Sequence, residues 1–367
     1  MHGESIKPAG RWILAALMVF AATASQARTA SADEVRHDTA AMPRAGLAAE
    51  PGAPWWASFN EAPLAGLQRA ALSHASTATA VGAAPASAMA IDAQVTTDYI
   101  ATRVFNVRWQ LAMQMRDSLD RQRKLLAGSA PVASLGQALA TLDERRAQSD
   151  RFASMMLGQR DAAMAALARM TGKSPETLFG ELQMALASRD MPLFDAQTPE
   201  RLPRSVMMGR RDVSASRSMV ALGRRGSAEA QHDLAIGPAS LSGWIAAAPG
   251  GLPATLDSQL PDVKAVLTVA AQAESEISAD LDALQRRTVQ TERLFEVVKS
   301  RQMELDAVKQ RMQVGAATEQ EVIGGYQTLL VNDDALAVSA GELAYAWIRL
   351  QASTGGQALQ ARSPSED

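Results

Sequence analysis

Between residues 262 and 353, apolar side chains recur at alternating steps of four and three. One run reads Ile277, Leu281, Leu284, Thr288, Thr291, Phe295, Val298, Gln302, Leu305, Lys309 and Met312. The rhythm resumes at Val322 and continues through Tyr326, Leu329, Asp333, Leu336, Ala340, Leu343, Trp347 and Leu350. A mean spacing of about 3.5 residues keeps one helical face turned toward a partner helix and winds the pair left-handedly. Between the runs, Val314-Gly315-Ala316-Ala317-Thr318 supplies a stop and a restart. Gly ends the first helix, Thr318 caps the next, and Glu321 stands where a capping box needs an acid. The pattern predicts an antiparallel helical hairpin.

The first half of the chain repeats this plan. A helix over about 99–126 ends at Gly128-Ser129-Ala130-Pro131, and a second covers 133–171. The seam of that second arm is Leu135, Leu139, Leu142, Arg146, Ser149, Ala153, Met156, Arg160, Ala163, Leu167 and Met170. Leu135 follows Gly128 by seven residues, as Val322 follows Gly315, and the second arms close with Thr171-Gly172 and Thr354-Gly355. This is an internal duplication. The fold class expected is all-α: duplicated long antiparallel helical hairpins, coiled-coil-like, with little or no β-barrel. Smaller features surround them. An amphipathic helix is predicted over 55–74, with Leu64, Leu67, Ala71 and Leu72 on one face. An Ala-rich loop or frayed helix follows at 75–98, then a Pro-punctuated loop at 191–203, a helix at 205–232 and a Gly/Pro-rich stretch at 237–261.

Composition narrows the function. The hydrophobic share is 47% but aromatics are only 4%, so the apolar content is mostly Ala, which favours slender, closely packed helices. With 36 Lys+Arg against 39 Asp+Glu there is no polybasic surface for nucleic acid. The absence of Cys excludes disulfides, thiolate metal sites, Cys nucleophiles and a lipid-modified N-terminal Cys. Lys7 and Arg11 precede an apolar run, Trp12 to Ala24, that is shorter than the ~20 residues needed to cross a bilayer. Small residues then offer cleavage sites at Ala24 and Ala27. The expected organisation is a signal peptide over 1–27, a flexible lead-in over 28–54, a first repeat over 55–203, a second over 204–354 and a disordered tail over 355–367. The protein is therefore expected in the periplasm or outer membrane of a bacterium.

Catalytic chemistry finds little support. His74 has no companion ligand, and Glu229 with His232 makes only two of the three or four ligands a metal needs. No phosphate-binding Gly loop and no nucleophile elbow is present. Glu274, Glu276, Asp280 and Asp282 read as a solvated helix face, and Met155, Met156, Met164 and Met170 as core filling. We expect neither an enzyme nor a bound cofactor or metal.

In this setting the chain resembles the outer-membrane factor family, the TolC-like exit ducts of tripartite efflux pumps and type I secretion systems. Trp55-Trp56, Phe59, Asn60, Leu64 and Leu67 resemble the family's opening pattern, with Asn60 where an acid is usual. Leu202-Pro203 followed by Arg210-Arg211-Asp212-Val213 resembles a second element with its Pro missing. Pro238 to Gly243 resembles the entry to a barrel hairpin, and Val314-Gly315 with Thr354-Gly355-Gly356 resembles the C-terminal helical hairpin. The resemblance implies a homotrimer in which four strands per protomer enter a membrane barrel and long helices build a TolC-type α-barrel. The two places for strands, 75–98 and 237–261, lack the alternation a spanning strand needs, and Arg224-Arg225-Gly226 interrupts a stretch that is usually apolar. The family pattern is present with most of its barrel absent.

The resemblance also implies partners: a periplasmic adaptor (membrane fusion) protein and an inner-membrane pump. It places adaptor docking at the hairpin tips, on Gly128 and Ser129 in one and Val314, Gly315, Ala316 and Thr318 in the other. On local chemistry alone, both glycines simply end helices. Trp55, Trp56, Arg210, Arg211 and Asp212 are expected to be structural, the last three as an ionic anchor near a helix start. Two functions remain open. One is a passive conduit element for small-molecule efflux or secretion; the other is a barrel-less periplasmic scaffold or modulator that binds pump or adaptor helices.

Overall fold

The computed structural model describes residues 54–80, 87–129, 132–192 and 261–356, together with residues 202, 206, 210, 212 and 213. The expected signal peptide, almost all of the lead-in and the tail, and nearly all of 205–260 lie outside the described residues, as does Arg211. Among the described residues the elements are a 3-10 turn, Trp55–Phe59, and six helices of more than ten residues. These are α1 (Ala62–Ala80), α2 (Ala88–Ser129), α3 (Val132–Thr171), α4 (Pro175–Ala187), α5 (Pro261–Gln313) and α6 (Glu319–Thr354). No strand occurs among them.

The duplicated hairpins are present. Across α2 and α3, Arg123 meets Asp143 at 2.8 Å, Arg146 meets Asp120 at 2.8 Å, and Ser149 Oγ donates to the Ala112 carbonyl at 2.8 Å. Across α5 and α6, Arg349 meets Asp280 at 2.9 Å, Arg287 meets Glu342 at 2.5 Å, and Thr291 and Ser339 share a hydroxyl hydrogen bond of 2.9 Å. Residue numbers rise on one helix as they fall on its partner, which is the signature of an antiparallel pair. The predicted seams are the buried faces. Leu284, Thr291, Leu305, Val322, Leu329, Ala340, Trp347 and Leu350 are each 2% exposed or less. Each such Leu contributes roughly 1.5–3 kcal/mol of burial. Arg146 is the exception, exposed and paired across the hairpin rather than packed within it.

Four local expectations need correction. The helix predicted over 55–74 is two elements, because Asn60 adopts a left-handed conformation (φ 50°) and its N–H bonds the Ala57 carbonyl, closing the 3-10 turn. Asn tolerates that region better than most residues. Most of 75–98, expected as a loop or a frayed helix, is regular helix: α1 runs to Ala80 and α2 begins at Ala88. Hydroxyls that could break a helix fold back on it instead, with Ser76, Thr77, Thr79, Thr96 and Thr97 each donating to the carbonyl four residues earlier. Finally, Asp280 does not lie on a solvated face; it is 8% exposed and paired with Arg349. Met155, at 43% exposure, likewise leaves the core that Met156 and Met164 occupy.

The helices fall into two compact units, and both hairpins contribute to each. The tip unit comprises Asn106–Gly158 and Arg293–Ala337 among the described residues. The second, which we call the clasp unit, holds the 3-10 turn, α1, α4 and the remaining parts of the hairpin helices. Its core gathers Trp55, Phe59, Leu64, Leu67, Tyr99, Ile100, Leu167, Leu178, Leu343 and Trp347.

Candidate functional site

The tip of the second hairpin is built by its own sequence. At the end of α5 the Ala316 N–H donates to the Arg311 carbonyl at 2.8 Å and the Gly315 N–H to the Met312 carbonyl at 3.0 Å. This pair of bonds is a Schellman closure, and it requires the positive φ of 72° that Gly315 adopts. Three residues on, the Thr318 N–H donates to Glu321 Oε2 at 2.6 Å while the Glu321 N–H donates to Thr318 Oγ1 at 3.2 Å. The predicted capping box is thus formed, and these bonds hold the Glu321 carboxyl below its usual value. Val314 stands 78% exposed at the apex, and Gly315 and Ala316 are exposed beside it. In the first hairpin α2 ends at Ser129 and α3 starts at Val132, and a Cβ placed on Gly128 would meet nothing within 4 Å.

A ladder of polar contacts brings the two hairpins together inside the tip unit. Arg108 Nε and Nη2 donate to Asp334 at 2.7 and 3.1 Å, and the guanidinium also lies 5.0 Å from the Phe152 ring centroid. Toward the tips, Tyr326 Oη donates to Gln114 Oε1 at 2.7 Å and Gln327 Nε2 to Gln122 Oε1 at 3.1 Å. Arg108 meets Asp334, whereas Gln114 and Gln122, nearer the end of α2, meet Tyr326 and Gln327, nearer the start of α6, so the two tips point to the same end of this unit. Seams within a hairpin are largely apolar, as in the cluster Val298, Leu305, Val322 and Leu329. None of these ladder residues stood out as a candidate site. The signal lay in a run at steps of four on α2 (Asn106, Gln110, Gln114, Ser118, Gln122), an uncharged polar stripe.

The residues expected to be structural lie in the clasp unit. Trp55 is 5% exposed and Trp56 half-buried. Trp347 Nε1 donates to Ser58 Oγ at 3.1 Å, and Ser58 in turn to the Trp55 carbonyl at 2.7 Å. Arg103, 3% exposed, reaches both oxygens of Glu61 at 2.9 and 2.8 Å and the Asp190 carbonyl at 2.6 Å, while Tyr99 donates to the same Glu61. Burial together with the Glu61 charge pushes the Tyr99 phenol well above its usual value. Arg210 bonds Asp212 at 3.0 and 2.6 Å and Glu276 at 2.9 Å, which ties it to α5, and it holds both carboxyls below their usual range. Among the described residues there is no cluster of three His, Cys, Asp or Glu able to hold a metal, and no helix long and apolar enough to cross a membrane.

No protein-family model matches the sequence, and no curated protein matches it. Solved structures do. The outer-membrane channel OprN aligns with a TM-score of 0.57 at 15% identity, over 90% of this chain and 98% of that one. CusC, whose crystal structures describe conformational changes accompanying folding and transmembrane channel formation, aligns with a TM-score of 0.54 at 15% identity, over 82% of this chain and 94% of that one. With its duplicated hairpins and two tips at one end of a unit, the chain has the TolC-like, outer-membrane-factor fold of these channels.

Proposed function

We propose that this protein is a wall element of an export duct in a bacterial envelope, passive and non-enzymatic, whose hairpin tips meet a periplasmic adaptor. The observation that carries this is the common direction of the two tips: one apex formed around Gly128 and one around Val314, Gly315, Ala316 and Thr318. Small residues there let another helix approach the backbone closely. Energy would come from an inner-membrane pump. In this reading the second hairpin shifts against the first as the duct opens, with the Arg108–Asp334, Tyr326–Gln114 and Gln327–Gln122 bonds exchanging partners. Placing a photo-crosslinking amino acid at Gly128 or Ala316 in cells, with Met184 (83% exposed, on α4) as control, tests it. Adaptor adducts from both tips and none from Met184 support the reading; equal labelling from all three positions defeats it.

A second reading, a barrel-less periplasmic scaffold, rests on one observation. Residues 81–87 between α1 and α2 reach at most about 25 Å when extended. A spanning strand pair needs about 9–11 residues in each strand, so this connection cannot supply one. Planar-bilayer conductance of the purified protein separates the two readings, since only a duct conducts.

A further inference from the structure

In the tip unit, the buried and half-buried cations are matched with carboxylates with one exception. Arg108, Arg116 and Lys309 each lie within 4 Å of an Asp. Arg145 departs from this. It is half-buried on α3, and among the described residues its hydrogen bond runs from Nη2 to the neutral Gln327 Oε1, at a long 3.4 Å. No carboxylate of the described residues lies within ion-pair distance. Loss of water around the guanidinium draws Arg145 below its ordinary value, and no neighbouring acid offsets that. Gln327 is occupied on its other side, where Nε2 donates to Gln122 Oε1. The guanidinium therefore sits at the end of a formed polar chain, α2 to α6 to α3, with its remaining donors uncommitted.

A partly desolvated cation facing only a neutral amide is unfavourable unless an anion joins it, and the planar fork of Arg binds a carboxylate or phosphate through two parallel hydrogen bonds. We infer that Arg145, backed by Gln327 and Gln122, is an anion-binding position that takes an oxyanion group. The group is either a free solute or a carboxylate of a second copy of this chain. The inference concerns the tip unit by itself and stands whether or not the protein lines a duct.

The test uses the purified mature chain at low ionic strength. Thermal unfolding is followed while sodium phosphate is added, with sodium chloride of equal ionic strength as reference. The wild type should gain a few degrees in phosphate beyond the chloride response. Arg145→Gln and Arg145→Met should lose that gain, and Arg145→Met should be no less stable than wild type without phosphate, because it removes the uncompensated charge. If instead the anion comes from a second copy, phosphate gives no gain, but sedimentation shows an oligomer that Arg145→Gln dissociates. No phosphate response in the wild type together with unchanged sedimentation of Arg145→Gln overturns the inference.

Discussion

Arg108 and Asp334 stand 226 residues apart and share two hydrogen bonds, from Nε at 2.7 Å and from Nη2 at 3.1 Å, that join α2 to α6. Their side chains are 9% and 21% exposed, so the pair is mostly sheltered from water. Removing one partner of a sheltered pair strands a charge, which costs about 3–5 kcal/mol when burial is complete. Asp334→Ala should fall at or just below the low end of that range. The double variant Arg108→Met with Asp334→Leu should recover most of the loss, because neither charge remains. Chemical denaturation of the three proteins measures both effects, and a double variant as unstable as the single would show that the pair's geometry, rather than its charge, holds the hairpins.

The cap of α6 makes a smaller, local prediction. Thr318→Ala removes the hydroxyl that accepts from the Glu321 N–H and donates to the Glu321 carboxylate, a loss of about 1 kcal/mol. Gly315→Ala forces a side chain into φ 72° and should cost about 1–2 kcal/mol. Hydrogen exchange should rise first in the opening turn of α6 for the Thr variant, and at the end of α5 for the Gly variant. The exposed apex should leave the α2–α6 contact unchanged.

The hairpins and the capping box were legible because each is a local property: a period of 3.5, a Gly stop, and a Thr three residues before a Glu. The ladder was not, because its partners sit more than 200 residues apart and each looks like an ordinary helical Gln, Tyr or Asp. Only the steps of four from Asn106 to Gln122 mark a polar face. That 75–98 is regular helix from Ala88, rather than loop or frayed helix, was illegible for a different reason. Thr and Ser are weak helix formers, and their return bonds to the preceding turn appear only once the helix exists. Asp280 reads as solvated because its neighbours in sequence are acidic, yet Arg349 arrives from the other arm of the hairpin.

Asp92 predicts a pH effect. Its Oδ1 is buried without a hydrogen-bond partner, as is Oε1 of Gln68, whose Nε2 donates to the Asp92 carbonyl at 2.9 Å. Burial raises the Asp92 carboxyl above its ordinary 3.8. The folded state therefore binds this proton more readily than the unfolded chain does. Its ionisation opposes folding fully above the raised value, and the penalty fades as pH falls toward 3.8. Asp92→Asn should be more stable than wild type at neutral pH, and the difference in melting temperature should shrink steadily on acidification. A constant difference across that range would mean that Asp92 ionises in the folded protein as it does in the unfolded one.

A close approach of the two hairpins in the clasp unit makes the last prediction. A Cβ on Gly341 of α6 would lie 2.9 Å from Val104 Cγ2 and 3.5 Å from Cγ1 on α2. Val104 is 7% exposed and β-branched, so it cannot swing its methyls aside without leaving its rotamer well. Gly341→Ala should therefore overpack the contact, at a cost of about 1–3 kcal/mol. Shortening the opposing side chain relieves the clash. Val104→Ala alone leaves a hole and destabilises, but combined with Gly341→Ala the new methyl occupies that space. The double variant should thus be more stable than the sum of the two losses by at least about 1 kcal/mol, within the coupling range for residues in contact. Strict additivity in urea unfolding would mean that α2 and α6 separate here to admit the methyl, and that the clasp unit yields at this contact.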